Sequence, residues 1–170
     1  MLLEKPQRIV LLIVILWVVW SSIVQRTPYI FLDNVNLLFH EAGHILFIPF
    51  GQFMTILGGS LMQLLVPISV FCSFLLKRDL DGVAFALLWF GESLINLSYY
   101  IADGQKMLLP LLGEGHDWNY LLGRLHQLPN AELIGNGTYW MGASVVIGSL
   151  MFVLFLVFFP ALGIGTAHDS

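Results

Sequence analysis

VNLLFHEAGHILFIPF, residues 35–50, places two histidines and a glutamate inside one of the most apolar stretches of the chain. On a helix, His40 and His44 are four residues apart and project from one face, where both imidazoles can bind a single metal ion. Glu41 lies beside them, at the spacing that holds a carboxylate against a metal-activated water. Because ionisable residues at lipid depth are costly to keep, this HEAGH segment predicts a functional metal site.

A purely structural interpretation of the same motif competes with the metal site. HExxH fixes only three positions, so it also occurs by chance in soluble proteins. In that alternative the two histidines are buried and bonded to backbone carbonyls, and Glu41 extends toward water. On a membrane helix, three polar side chains would be removed from water in this alternative, at a cost in free energy that no metal ion offsets. This cost favours the interpretation as a metal site.

The composition is that of an integral membrane protein. Hydrophobic residues make up 58% of the 170 residues and charged residues 11%, whereas soluble domains carry about 25% charged residues. The net charge of −4 comes from few charges, and the basic residues are scattered, which excludes a nucleic-acid-binding patch. The single Cys72 excludes an internal disulfide and a thiolate metal cluster. We expect one polytopic membrane domain over residues 1–170.

The apolar segments predict an all-α fold with four to five transmembrane helices. The segments predicted to be helical are residues 9–24, a motif-bearing segment that starts at Asp33 or Asn34 and ends near residues 49–51, and residues 60–76, 83–102 and 139–159. Residues 52–57 are too short to span and end at Gly58-Gly59, which favours a re-entrant strand or hairpin near 52–59. The polar stretch 103–137 is predicted to hold a short helix or loop near the membrane surface.

HEAGH at residues 40–44 is followed by Phe50-Gly51 and by GGSLMQ at residues 58–63. This arrangement resembles the site-2-protease-like family of intramembrane zinc metalloproteases, closely over residues 34–67 and loosely elsewhere. The resemblance implies that His40 and His44 bind zinc, that Glu41 is the general base, and that Gln63 is a substrate-positioning amide. A helix-packing hydrogen bond is an equal alternative for Gln63.

The third metal ligand departs from the pattern of that family, which supplies an aspartate from a Leu-Asp-Gly motif. Asp81 lies in such a triplet, but it directly follows a charged turn at residues 77–79 and so favours a solvated helix cap. His116 and Asp117 are the preferred candidates, because both are metal-ligand types at the start of a predicted short helix. If one of them binds the metal, the other can support it by hydrogen bonding. An interfacial turn anchored by Trp118 is the alternative for this segment.

The helix predicted over residues 83–102 carries a polar stripe. Glu92, Asn96, Tyr99 and Asp103 are separated by four, three and four residues, so they lie on one helix face. Such a face should lie toward the bundle interior or a watery cavity. Glu92 and Asn96 are therefore candidates for lining a water path or positioning substrate, and Glu92 requires a partner. A hydrogen-bonded helix interface is the alternative for Asn96 and Tyr99.

These features predict an intramembrane zinc metallopeptidase of a bacterial inner membrane. Its expected partners are membrane lipid, a transmembrane protein or peptide substrate, and other members of a membrane complex. The alternative is a non-proteolytic membrane protein or complex subunit whose metal site is retained or vestigial. A di-iron hydroxylase is disfavoured, because such enzymes need several histidine clusters and only two of the five histidines here are clearly paired.

Overall fold

The computed structural model describes residues 6–110 and 115–159, and in these ranges the chain is helical and contains no strand. The described α-helices are α1 (Pro6–Val18), α2 (Asp33–Leu46), α3 (Gln52–Leu76), α4 (Leu80–Asp103), α5 (Asp117–Arg124) and α6 (Ala131–Phe158). A π-helical segment, Val19–Val24, continues α1, and 3-10 turns lie at Ile48–Phe50 and Leu128–Asn130. The predicted all-α fold is confirmed, including the short helix α5.

Within the described ranges, four helical segments are long and apolar enough to cross a membrane. They are Pro6–Val24, α3, α4 and Leu128–Phe158. The motif helix α2 has only 14 residues, about 21 Å of helix, which is shorter than the roughly 30 Å of a bilayer hydrocarbon core. The structure therefore agrees with the lower of the predicted numbers of crossings.

The prediction of a re-entrant strand near residues 52–59 is wrong. These residues form the first two turns of α3, which begins after Gly51 at φ +85°. Gly58-Gly59 does not end an element but marks a close helix contact, since a Cβ on Gly58 would lie 2.7 Å from both the Gly43 carbonyl oxygen and Phe47 Cβ. Small residues let membrane helices approach each other in this way.

Helix α4 is the centre of the bundle. Of an apolar stretch of 18 residues in this helix, 61% are buried, against 22–33% in the other three candidate spans. It packs mainly on α6 and then on α3. The α4–α6 crossing is close because a glycine on each helix faces the backbone of the other: a Cβ on Gly91 would lie 2.9 Å from the Gly142 carbonyl oxygen. The motif helix α2 packs mainly on α3. This packing brings the HEAGH face against the helical turn of α3 that contains Gly58 and Gly59.

Asp81 does not lie near the HEAGH motif but joins helices at the other end of α4. Its carboxylate accepts hydrogen bonds from Arg8 Nε at 2.6 Å and Arg8 Nη2 at 3.3 Å, while Arg8 Nη1 donates to the Leu156 carbonyl at 2.8 Å. About 22 Å of helix separates Asp81 from Asn96. Asp81 is therefore not the third residue beside His40 and His44. It forms an ion pair with Arg8 that links α4 to α1 and α6.

We expect Asp81→Ala to destabilise the bundle, because it leaves the guanidinium of Arg8 buried and unpaired. The two side chains are 8% and 16% exposed, and removing one member of a buried pair costs about 3–5 kcal/mol. Thermal unfolding in detergent should show a lower midpoint for this variant. Arg8→Leu combined with Asp81→Ala should recover most of the loss, and equal midpoints for the single and double variants would contradict the ion-pair role.

Candidate metal centre

His40, His44 and Asp117 meet at one point in the structure. One potential ligand atom from each lies within 4.8 Å of the others: Nε2 of His40 is 2.9 Å, and Nε2 of His44 is 3.3 Å, from Oδ2 of Asp117. The histidines stand on adjacent turns of α2, and Asp117 is the first residue of α5. Two imidazoles and a carboxylate form a donor set of catalytic zinc sites.

A hydrogen bond on the far side of the ring orients His40. Its Nδ1 lies 3.2 Å from Oε1 of Gln63. The amide nitrogen of Gln63 donates to Asn96 Oδ1 at 2.9 Å and to the Ser93 carbonyl at 3.3 Å, so Oε1 is the acceptor in the contact with His40. The proton of a neutral His40 therefore lies on Nδ1, and Nε2 presents its lone pair toward Asp117.

His44 is held in the same orientation by a different partner. Its Nδ1 lies 2.9 Å from the backbone carbonyl oxygen of Thr55, which can only accept, so Nδ1 carries a proton. The hydrogen bond with Asp117 raises the pKa of His44 to about 9, so without a metal its Nε2 also carries a proton, which it shares with the carboxylate. A metal ion that binds at this point takes the place of that proton. Metal-bound histidines are oriented in this way by hydrogen bonds from their second nitrogen.

The charge state of Asp117 suits a metal ligand. Burial alone would raise the pKa of its carboxyl group, but hydrogen bonds and charge from His40 and His44 lower that pKa to about 2. Asp117 is therefore an anion at neutral pH, the state in which a carboxylate binds a metal. The residues present thus fit a zinc ion by donor type, ring orientation and charge.

Helix α3 leaves room at the ligand atoms because residue 59 has no side chain. A Cβ on Gly59 would lie 2.6 Å from Nε2 of His40 and 2.7 Å from Nε2 of His44. On the opposite helix, a Cβ on Gly43 would run into the carbonyl group of Gly58. Bare backbone from α3 therefore bounds the space in which the two histidine nitrogens converge.

Of the two adjacent candidates for the third ligand, the structure brings Asp117 and not His116 to the two histidines of the motif. Nδ1 of His116 accepts a hydrogen bond from the backbone N–H of Asn119 at 3.3 Å and so caps α5. The proton therefore lies on Nε2, which donates to Asp103 Oδ2 at 3.2 Å. With both nitrogens engaged, His116 fixes the start of α5 and thereby the position of Asp117.

Glu41 shares a cavity of ≈ 720 Å³ with the three ligand residues. Its side chain is exposed on the face of α2 next to His40, so a molecule in the cavity can reach the carboxylate. The wall combines polar groups with apolar ones such as Leu37 and Leu109. A carboxylate beside the two histidines is the arrangement that HExxH chemistry requires.

Gln63 and Asn96 connect His40 to α4. Gln63 is buried and its amide is fully engaged with protein groups, so it matches the packing alternative and also orients His40. Asn96 lines the cavity. Its Oδ1 accepts from Gln63, while its Nδ2 donates to no residue in the described part of the chain. That nitrogen remains available to a bound molecule.

Glu92 has the partner that its burial calls for. Its Oε2 accepts a hydrogen bond from Nδ2 of Asn36 at 2.7 Å, and Asn36 also accepts from Trp89 Nε1 and Ser93 Oγ at 2.8 and 3.0 Å. Asn36 lies one turn before His40 on the same face of α2. Glu92 thus fastens the motif helix to α4 and is not among the residues that line the cavity.

Sequence reasoning missed three contributors to the centre. Thr55 acts through its backbone carbonyl, for which no side-chain pattern gives a signal. For Gly59 the sequence predicts the end of a re-entrant strand or hairpin, not a position against the ligand atoms. Tyr100 lies one residue past Tyr99 of the polar stripe, and its spacing of four from Asn96 was the available signal.

No family model, curated protein or solved structure matches the chain. What the centre binds therefore has to follow from its donor atoms. Two imidazole nitrogens and one carboxylate oxygen leave one position of a tetrahedral zinc site for water or substrate.

Proposed function

We propose that this chain is an intramembrane zinc metallopeptidase. The observation that carries the proposal is the convergence of three donor groups: Nε2 of His40 and Nε2 of His44 lie 2.9 and 3.3 Å from Oδ2 of Asp117, and Nδ1 of each ring is held by an acceptor. Glu41 lines the same cavity, and the resemblance of residues 34–67 to site-2-protease-like enzymes agrees with this assignment.

Each residue of the centre has a separate role in the proposed peptide hydrolysis. His40, His44 and Asp117 hold the metal. Bound zinc supplies Lewis acidity, which activates water and polarises a carbonyl group. The Glu41 carboxylate takes up the proton of the attacking water and returns it to the nitrogen of the leaving amine. The free Nδ2 of Asn96 donates to the substrate backbone.

The proposed substrate is a transmembrane protein or peptide in a bacterial inner membrane. Two of the helices that line the cavity, α3 and α4, are long and apolar enough to cross a membrane. A helical substrate protects its peptide bonds, so it must unwind locally to present a carbonyl. The substrate cannot be unwound by pairing as an added strand with residues 52–57, because the backbone groups of these residues belong to α3. An added strand needs backbone groups that are free to form hydrogen bonds with it.

Glu41→Gln tests the proposal. The variant should keep the zinc content of the wild type and lose cleavage of a transmembrane-helix substrate by about 10²–10⁴-fold, the usual effect of removing a general base. Cleavage is measured in liposomes with a panel of single-span substrates. Glu132→Gln is the matched control, since Glu132 is an exposed partner of Lys106 and its loss should leave the rate unchanged.

Two outcomes would contradict the peptidase. One is a Glu41→Gln variant that cleaves at the wild-type rate. The other is a wild-type protein that holds zinc, cleaves no member of the panel, and has a cellular phenotype that Glu41→Gln leaves intact. The second result would favour a non-proteolytic membrane subunit.

A further inference from the structure

Tyr100 is a cavity residue outside both the HEAGH motif and the polar stripe. It is half-buried and lines the cavity with Glu41 and the three ligand residues. Its ring centroid lies 4.4 Å from that of His116 and, edge-on, 5.9 Å from that of His40. These contacts hold the ring between the cap of α5 and a metal ligand.

The hydroxyl group of Tyr100 is polarised by the backbone next to it. Its oxygen accepts a hydrogen bond from the N–H of Asp117 at 3.0 Å. A phenol has one proton to donate in addition to the lone pairs with which it accepts. Accepting from Asp117 strengthens the hydroxyl as a donor, since linked hydrogen bonds polarise one another.

The neighbouring amide groups of this wall do not accept the proton of the Tyr100 hydroxyl. The amide of Gln63 is engaged with His40, Asn96 and Ser93. Asn96 lies one helical turn before Tyr100, so the two line the same side of the cavity. A molecule that enters the cavity and reaches the Asp117 side of the ligand group meets the Tyr100 hydroxyl, which lies beside the Asp117 carboxylate.

We infer that Tyr100 is a further catalytic residue, whose hydroxyl donates a hydrogen bond to the carbonyl oxygen of the scissile peptide bond. This role rests on the proposed peptidase function. No bond to Tyr100 is made or broken and the proton stays on its oxygen. The hydrogen bond strengthens as negative charge develops on the carbonyl oxygen, which is how a preorganised donor lowers the barrier of acyl transfer.

Tyr100→Phe removes the hydroxyl and keeps the ring that packs on His116 and His40. We expect unchanged zinc content and unfolding midpoint. Loss of one such donor lowers kcat by about 10²–10³-fold, and KM should change little. Asn119→Ala is the control for a displaced α5, since it removes the 2.8 Å bond to the Gly104 carbonyl and leaves the Tyr100 hydroxyl in place.

A binding measurement separates this role from a structural one without relying on turnover. Two probes are titrated into zinc-loaded protein in the Glu41→Gln background: a phosphinic pseudopeptide, whose tetrahedral centre carries a negative oxygen, and the planar peptide of the same sequence. Tyr100→Phe should weaken the phosphinic probe at least tenfold more than the planar peptide. Equal weakening of both probes would overturn the inference, and so would loss of zinc from Tyr100→Phe. If the parent protein holds zinc but binds neither probe, the peptidase proposal itself fails.

Discussion

Asp117→Ala is expected to lose the bound metal, while the variant of its neighbour, His116→Asn, keeps it. Purified wild-type protein should carry about one zinc ion per chain, as a site with three protein ligands does. Oδ2 of Asp117 lies 2.9 and 3.3 Å from the two Nε2 atoms, so its removal takes away one of those three ligands. Mass spectrometry of metals after gel filtration, with circular dichroism to verify the helices, measures the difference.

His116→Asn is a matched control because it changes the adjacent residue without removing the helix cap. Asparagine is among the best N-cap residues, so it can replace the acceptor that His116 Nδ1 offers to Asn119. Zinc at a free concentration of 100 times Kd should also increase the free energy of unfolding of this variant by about 2.7 kcal/mol, as it does for the wild type, and so raise its unfolding midpoint. Zinc that persists in Asp117→Ala and disappears in His116→Asn would reverse the ligand assignment.

The sequence predicts the helical elements well because length and apolarity act locally. Helix α4 begins at Leu80 rather than Val83 because Asp79 caps it, accepting from Gly82 N–H at 3.1 Å. The failed strand shows the opposite case. Gly58-Gly59 has the composition of a turn, but its role depends on Gly43, fifteen residues away on another helix. A single segment contains no sign of that contact.

In the candidate metal centre, too, local features follow from the sequence and contacts between distant segments do not. His40 and His44 are one turn apart, so their common face follows from helix geometry alone. Asp117 lies 77 residues from His40, and the sequence offers two adjacent residues of ligand type there. The choice between them depends on which one caps α5, and this is decided by the contacts of His116 with Asn119 and Asp103. Those contacts exist only after the chain has folded.

Gly59→Ala is expected to abolish zinc binding although it adds a single methyl group. The new Cβ would lie 2.6 and 2.7 Å from the Nε2 atoms of His40 and His44, where atoms overlap. The rings cannot swing away freely, because Nδ1 of each is fixed, by Gln63 and by the Thr55 carbonyl. Relieving the clash therefore displaces the two nitrogen atoms that we propose bind the metal.

The response of stability to zinc distinguishes this effect from general damage. Alanine favours a helix over glycine by about 1 kcal/mol, which offsets part of the cost of displacing the two rings, so metal-free Gly59→Ala should remain folded, and zinc should raise the unfolding midpoint of the wild type but not of Gly59→Ala. Gly148→Ala is the control, since nothing lies within 4 Å of a Cβ built on Gly148 in α6, and it should keep both zinc and stability. Metal analysis and thermal unfolding with and without a chelator measure the two quantities. Wild-type zinc affinity in Gly59→Ala would show that α3 does not bound the metal site, because a centre lying against Gly59 has no space for the added methyl group.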